Sequence, residues 1–256
     1  MGQPCRFGCR YCYTRGGEIG PARIEPLDIV NELKEFASEH AFDVIQFGYD
    51  GDPFARPERG IFMLQHLATL GKDICFSTKA ALDQPTLDAL ADLDRYLYNK
   101  QATLSALISL SCWSSAAQIE PHTPLPHERL RSLSNLRELG IPAFIAVRPM
   151  LPHVRAEYPQ LIDAGIQAGT NGFILGPLYA DDDGRFIRFM PKGSLEHVPH
   201  RKVTVSWSPH TPQWTRYEDE SLVSELASFI RQRGGSVFLS SVEAMRIAPK
   251  LRQKEI

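Results

Sequence analysis

The chain has 256 residues, of which 43% are hydrophobic and 23% charged, and its formal net charge is −2 at pH 7. It is long enough for one large core, and a nearly neutral chain has no global attraction to nucleic acid or to an acidic membrane. No apolar run approaches the ~18 residues that a membrane-spanning helix needs, and the stretch before the first cysteines is too short for a signal peptide. The odd cysteine count is typical of a reducing compartment, so we expect a cytoplasmic protein that binds no membrane.

Helices and strands alternate along the chain after a cysteine-rich loop. Apolar residues at helical spacing predict helices over 26–40, 58–71, 85–95, 126–140 and about 156–168. Continuous apolar runs, typical of strands buried on both faces, predict strands over 42–48, 72–80, 104–111, 141–151 and 171–179. Alternation at a spacing of about 30 residues predicts an α/β fold of parallel strands, either an open doubly wound sheet or a full or partial TIM-type barrel.

The regular alternation stops near residue 180. We expect residues 1–180 to form the barrel and residues 181–256 to form a C-terminal extension of the same structural unit, with a helix over 218–233 and a strand over 236–240. Between residues 185 and 217, basic side chains are interleaved with aromatic ones: Arg185, Phe186, Arg188, Phe189, Lys192, Arg201, Lys202, Trp207, Trp214, Arg216 and Tyr217. This composition suits a lid or a packed hairpin, and also the binding of single-stranded nucleic acid. We favour the lid or the hairpin because the net charge is slightly negative.

Polar motifs follow the predicted strands at the points where those strands end. YDGDPF, STK, SLSCW, RPM and GPLY stand at the ends of the five strands in turn. Because the carboxyl ends of parallel strands lie at one edge of the sheet, we expect these motifs to share one site.

Cys5, Cys9 and Cys12 have C-x3-C-x2-C spacing near the start of the chain. A structural zinc ion needs four ligands, and the nearest histidine, His40, lies beyond a predicted helix. A [4Fe–4S] cluster normally takes four thiolates, so three leave one iron without a protein ligand. An open metal position is where a substrate or cofactor binds. The spacing therefore favours a cluster with an open iron, and structural zinc is the alternative.

This exact spacing, with Tyr11 just before the last cysteine and β/α alternation behind it, resembles the radical S-adenosylmethionine (SAM) superfamily. The resemblance implies a partial (β/α)5-6 barrel with a C-terminal elaboration, and a [4Fe–4S] cluster on the three cysteines whose fourth iron is chelated by SAM. It implies an enzyme that cleaves SAM reductively to a 5′-deoxyadenosyl radical, which abstracts hydrogen from a substrate. A small flavodoxin or ferredoxin would be the electron donor. The alternative function is a non-catalytic protein that holds a structural metal and binds a partner.

The same resemblance implies SAM contacts at the strand ends. Asp52 would hold the SAM amino group, Lys79 would pair with the carboxylate, and Ser77 would help to bind the ribose. Each has a plain structural alternative, such as a turn cap for Asp52 or a solvated strand end for Lys79.

Three further positions complete the predicted SAM site. Ser109 and Ser111, two residues apart, would point to the same side and face the ribose. Arg148 interrupts an apolar strand and needs an anionic partner, either the SAM carboxylate or an aspartate of the barrel. Tyr11 would contact the adenine, with loop packing as the alternative.

GCRYCY, FGYDGDPF, FSTKA, SLSC, EPHTPLPHERL and VRPMLP, between residues 3 and 180, are similar to the spore photoproduct lyase-like branch. The named member of that branch repairs a thymine dimer in DNA. It returns a hydrogen atom from a cysteine near the second-strand motif, whereas FGYDGDPF contains none. Branch members also have a strand before the cysteine loop, and only MGQP precedes Cys5 here. The resemblance thus implies a fold and cofactors, without a substrate or a catalytic residue.

Overall fold

The computed structural model describes residues 5–12, 26–48, 51–184, 186–205 and 213–254 of the chain. The strands are β1 (Val44–Phe47), β2 (Asp73–Thr78), β3 (Leu104–Ser109), β4 (Ala143–Val147), β5 (Phe173–Leu175), β6 (Leu178–Ala180), β7 (His200–Thr204), β8 (Gln213–Tyr217) and β9 (Val237–Phe238). The helices are α1 (Pro26–Glu39), α2 (Pro57–Ala68), α3 (Gln84–Asn99), α4 (Ala116–Ile119), α5 (Pro126–Glu138), α6 (Tyr158–Gln167), α7 (Glu220–Gln232) and α8 (Ser241–Lys254), with 3₁₀ helices at Pro53–Ala55 and Pro152–Glu157. Within these ranges no helix is long and apolar enough to cross a membrane.

The main sheet has six strands in the order β1-β2-β3-β4-β5-β9. Every neighbouring pair in it is parallel. A helix lies between each strand and the next through β5, as a partial barrel requires. The predicted α/β class and the partial barrel of parallel strands are therefore confirmed.

The two faces of the sheet pack against different helices. Alternate residues such as Phe76 and Ile108 belong to the large core that includes apolar side chains of α2, α3, α5 and α6. On the opposite face, Cys75, Leu107 and Phe144 pack against α8. Strand residues of both faces are buried, which explains the continuous apolar runs in the sequence.

The C-terminal part of the chain contributes one strand to the main sheet and a helix that packs against it. The strand predicted over 236–240 pairs with β5 as β9 and is the sixth strand of the main sheet. α8 was not predicted, because Pro249 within it interrupts the helical pattern. The division of the chain at residue 180 stays a prediction, and the main sheet includes one strand, β9, from beyond it.

The predicted strand over 171–179 is two strands in the structure. Gly176 and Pro177 separate β5 from β6, and a proline cannot donate to a strand ladder. β6 instead pairs with β8 in a small antiparallel sheet of order β6-β8-β7. The rings of Phe186 and Trp214 stack there at 5.4 Å and form a second small core with Val205.

Candidate active site

A cavity of about 370 Å³ lies at the carboxyl ends of the main strands. All six strands contribute to its wall, through residues at or just beyond their ends: Gln46, Ser77, Ser109, Arg148, Pro177 and Ser241. The volume lies in the range of pockets that hold small molecules and cofactors. The strand-end motifs therefore meet at one place.

The three cysteines of the N-terminal loop lie on the wall of this cavity. Cys9 is buried, while Cys5 and Cys12 are half-buried. Burial raises the pKa of the Cys9 thiol to about 12 and also raises that of Cys5. Without a bound cation these two groups are therefore protonated at neutral pH.

The donor set fits a [4Fe–4S] cluster. Metal binding deprotonates a coordinating thiol outright, so a cluster would offset the effect of burial on these groups. In the described part of the chain, no group of His, Cys, Asp or Glu side chains is arranged to hold one metal ion. A cluster makes a different demand, since each thiolate binds its own iron and the thiols surround the cluster rather than meet at one point.

The connection between β3 and α5 holds the cysteine loop in place. The backbone N–H of Arg10 donates to the carbonyl of Ile119 at 2.9 Å. Gly8 has φ +60°, and a Cβ added there would come within 3.1 Å of the His122 ring. The cysteine loop is therefore supported by the residues that connect β3 to α5.

Asp52 joins the loop after β1 to the end of β2. Its carboxylate accepts hydrogen bonds from the Phe54 N–H at 2.9 Å, the Thr78 hydroxyl at 2.8 Å and the Lys79 N–H at 2.5 Å. Burial raises the pKa of Asp52, and these three donors act against the rise. The residue caps the 3₁₀ helix at Pro53–Ala55 and also lines the cavity, so the turn-cap role does not keep its carboxylate from the cavity wall.

Lys79 is held by a carboxylate that the sequence interpretation missed. Its Nζ donates to the Ser109 hydroxyl at 2.6 Å and to Glu120 Oε1 at 2.8 Å. Burial alone would raise the pKa of Glu120, but the charges of Lys79 and Arg129 and hydrogen bonds from Lys79 and Tyr11 lower it to about 2. Glu120 and Arg129 both lie in the EPHTPLPHERL stretch, and only their contact in space reveals a shared role.

The two predicted serines have different surroundings. Ser109 lines the cavity as predicted. Ser111 is fully buried and off the cavity wall: its hydroxyl donates to the Arg148 carbonyl at 2.8 Å, and its oxygen lies 3.0 Å from the Tyr11 hydroxyl oxygen. The prediction that Ser111 faces the ribose is therefore corrected. β3 ends at Ser109, so strand alternation does not extend to residue 111.

Ser77, Tyr11 and Arg148 also line the cavity. The Arg148 guanidinium donates to the Ser241 hydroxyl at 3.0 Å and to the Leu239 carbonyl at 3.2 Å, which links the end of β4 to the start of α8. Burial is the main cause that raises the pKa of Tyr11. The Tyr11 ring lies 5.5 Å from Lys79 Nζ, as in a cation–π contact.

Among the described residues of the basic and aromatic segment, β7 and β8 are antiparallel neighbours, and Phe189 lies beside the cysteine loop. The Phe189 ring lies 6.4 Å from the Tyr11 ring, so this segment borders the site. Phe186 and Trp214 are each 4% exposed, which leaves their faces unavailable for stacking on bases. Arg216 pairs with Glu218, and Lys202 with Asp182. Arg185 and Trp207, named with this segment, lie outside the described residues.

The family model described as the radical SAM superfamily matches residues 1–165, which is more than half of the chain. The chain belongs to the radical SAM superfamily. It is therefore an enzyme of the class that uses SAM with an iron–sulfur cluster, and the cysteine-lined cavity fits both groups.

Relatives of this radical SAM enzyme were found by sequence and by structure. Uncharacterized proteins of Mycobacterium bovis and Mycobacterium tuberculosis are 21% identical over 253 residues, which cover 90% of this chain and 73% of each relative. Spore photoproduct lyase complexed with dinucleoside spore photoproduct matches with a TM-score of 0.66 and 16% identity, over 92% of this chain and 74% of that one. SuiB of Streptococcus suis bound to precursor peptide SuiA matches with a TM-score of 0.60 and 14% identity, over 91% and 45%. These structural matches show a shared fold.

Proposed function

We propose that this radical SAM enzyme binds a [4Fe–4S] cluster through Cys5, Cys9 and Cys12 and binds SAM in the adjoining cavity. The cluster and SAM together supply a 5′-deoxyadenosyl radical, formed by reductive cleavage, that abstracts hydrogen from a substrate. The observation that carries the proposal is the convergence of the three thiols with Asp52, Lys79 and Ser109 on one cavity wall.

The polar wall of the cavity suits the charged end of SAM. A carboxylate has about four lone-pair sites, and protein donors occupy three at Asp52, so one remains for the SAM amino group. An ammonium has three N–H donors, and the contacts of Lys79 with Ser109 and Glu120 use two. The third N–H of Lys79 would bind the SAM carboxylate.

The remaining wall residues suit the rest of the cofactor. Ser77 and Ser109 would contact the ribose, and the Tyr11 ring would contact the adenine. Arg148 would add a second cation for the SAM carboxylate, since it also lines the cavity. Ser111 supports Tyr11 and the end of β4 from behind the wall.

The substrate stays unidentified among a nucleic acid, a peptide and a small metabolite. The two kinds of structural relative were solved with a dinucleoside spore photoproduct and with a precursor peptide, so the shared fold does not select a substrate class. Burial of Phe186 and Trp214 argues against a base-stacking surface. The proposed electron donor is a flavodoxin or a ferredoxin, and the proposed compartment is the reducing cytoplasm.

Anaerobic reconstitution with iron and sulfide tests the proposal. The wild-type protein should show the visible charge-transfer absorption of an iron–sulfur cluster and should form 5′-deoxyadenosine from SAM and dithionite. The Cys9→Ala protein should lose both signals. Cys75→Ala is the matched control, because Cys75 is buried between the sheet and α8, away from the cavity wall. A wild-type protein that holds its cluster yet forms no 5′-deoxyadenosine would refute the proposal.

A further inference from the structure

One buried carboxylate, Glu120, connects three segments of the site. Its Oε1 accepts a hydrogen bond from Lys79 Nζ at 2.8 Å and one from the Tyr11 hydroxyl. Its Oε2 accepts from Arg129 Nη2 at 2.5 Å. The side chains of Glu120 and Arg129 are fully buried, whereas that of Lys79 is 14% exposed on the cavity side. The cysteine loop, the end of β2 and helix α5 thus meet at a single group.

Arg129 fixes Glu120 from behind. Its Nε donates to the Pro124 carbonyl at 2.8 Å and its Nη1 to the Ser109 carbonyl at 2.9 Å. The planar guanidinium therefore has a set position relative to the end of β3, and it transmits that position to Glu120. Buried ion pairs contribute little net stability compared with apolar packing. We therefore explain the buried ion pair by the groups whose positions it sets, and not by a contribution to the free energy of unfolding.

Glu120 places two groups that serve different parts of the site. Lys79 stands at the proposed SAM carboxylate contact, and Tyr11 is the neighbour of Cys12 in the cysteine loop. Two cations share one anion, so the cluster of Lys79, Glu120 and Arg129 has a net charge of +1. Lys79 is the member of the three that reaches the cavity, so this charge is presented to an anionic ligand there.

We propose that Glu120 is a positioning residue that sets the Lys79 ammonium for the SAM carboxylate and, through Tyr11, the cysteine loop for the iron–sulfur cluster. The inference rests on the proposed function, because it assigns SAM to the cavity. It adds a residue that touches neither cofactor and acts through two others.

Three single variants separate the two effects of Glu120. Lys79→Met removes the contact on the SAM side, Tyr11→Phe removes the hydroxyl contact while keeping the ring, and Glu120→Asp keeps the charge but shortens the reach. SAM affinity is measured by equilibrium dialysis on reconstituted protein without reductant, and cluster loss by the decay of visible absorption in a chelator. Lys79→Met should weaken SAM binding about tenfold with unchanged cluster loss, and Tyr11→Phe should only speed cluster loss several-fold. Glu120→Asp should show both defects.

The double variant Lys79→Met/Glu120→Asp tests whether Glu120 acts through Lys79. Measured per bound cluster, it should bind SAM no more weakly than Lys79→Met alone, because the positioned group is already gone. A further loss in the double variant would mean a merely structural role and overturn the proposal, as would normal SAM binding and normal cluster retention in Glu120→Asp.

A variant that fails to fold and a failure of the proposed function can each be told apart from a failure of this inference. If Glu120→Asp does not fold, Glu120→Gln is measured in the same way, since it fills the same space without the charge, and wild-type behaviour of that protein overturns the proposal. If the wild-type protein itself holds a cluster but binds no SAM, the proposed function fails together with this inference.

Discussion

At the scale of single residues, Asp52 shows how one side chain serves both the backbone and the cavity. Its carboxylate caps the 3₁₀ helix at Pro53–Ala55 and accepts a hydrogen bond from the backbone N–H of Lys79, just after β2. Gly48 makes this approach possible: it has φ +94°, and a Cβ there would lie 2.7 Å from the Ser77 carbonyl oxygen. The position of Asp52 over the cavity thus follows from the turn that it caps.

Asp52→Ala should therefore reduce both the stability of the fold and the binding of SAM, whereas Asp83→Ala should reduce stability alone. Asp83 caps α3 away from the cavity by accepting from the Thr86 N–H. Loss of a capping carboxylate costs about 1 kcal/mol, so both variants should show a lower free energy of unfolding in urea. Only Asp52→Ala should also bind SAM more weakly in equilibrium dialysis. Equal SAM binding by the two variants would contradict the role of Asp52 in the site.

At the scale of elements, the connections between strands carry the features that distinguish this molecule. The β3 to α5 connection supports the cysteine loop through Ile119 and His122 and supplies Glu120 to the site. α7 is the connection that returns the chain to the main sheet, so that β9 pairs beside β5. Asp219 begins α7 by accepting from the N–H groups of Ser221 and Leu222 at 3.0 and 3.1 Å.

The cap of α7 should make a contribution to stability that depends on pH. Hydrogen bonds from Ser221 and Leu222 lower the pKa of Asp219 in the folded protein. A lowered pKa means that the stabilisation is present at neutral pH and is lost as the pH falls below the ordinary value of about 3.9. Asp219→Ala should reduce the free energy of unfolding by about 1 kcal/mol at pH 7 and by less at pH 3.

Chemical denaturation at the two pH values measures this difference. Asp92→Ala is the control, because Asp92 is exposed on α3 and its ion pair with Arg95 contributes little. A stability difference for Asp219→Ala that grows as the pH falls would contradict the capping role.

At the scale of the whole molecule, α8 covers the face of the sheet from which the cavity opens. The buried side of α8 packs against the sheet through Ala244, Met245 and Ala248. Ser241, at the start of the helix, lies on the cavity wall. Arg148 ties the same helix start to the end of β4. Helix α8 therefore packs against the sheet of the partial barrel, and its first residue contributes to the cavity wall.

A charged side chain between α8 and the sheet should destabilise the protein. Ala244 is fully buried, so Ala244→Asp places a carboxylate in an apolar environment and should lower the free energy of unfolding by several kcal/mol. Val242→Asp, on the exposed side of the same helix, should stay within about 0.5 kcal/mol of wild type. Thermal melts followed by circular dichroism compare the two, and a stable Ala244→Asp protein would contradict the packing of α8.

Much of the fold follows from local sequence patterns. β1 to β4 and most helices lie where periodicity predicts them, because strands buried on both faces and amphipathic helices have distinct apolar patterns. β9 has only two residues, and its place beside β5 depends on the crossover through α7. Pro249 interrupts the helical pattern of α8 in the sequence, although packing against the sheet keeps that segment helical.

The sequence by itself determined the β/α class, the three-cysteine motif and the strand ends at which the polar groups meet, since each depends on spacing along the chain. Tertiary structure decided which of those groups reach the cavity. It buried Ser111, paired Lys79 with Glu120 and placed Arg129 behind them, because these contacts join residues separated by 9 to 100 positions. Spacing cannot encode such contacts, whereas the barrel creates them by bringing its strand ends and loops to one edge.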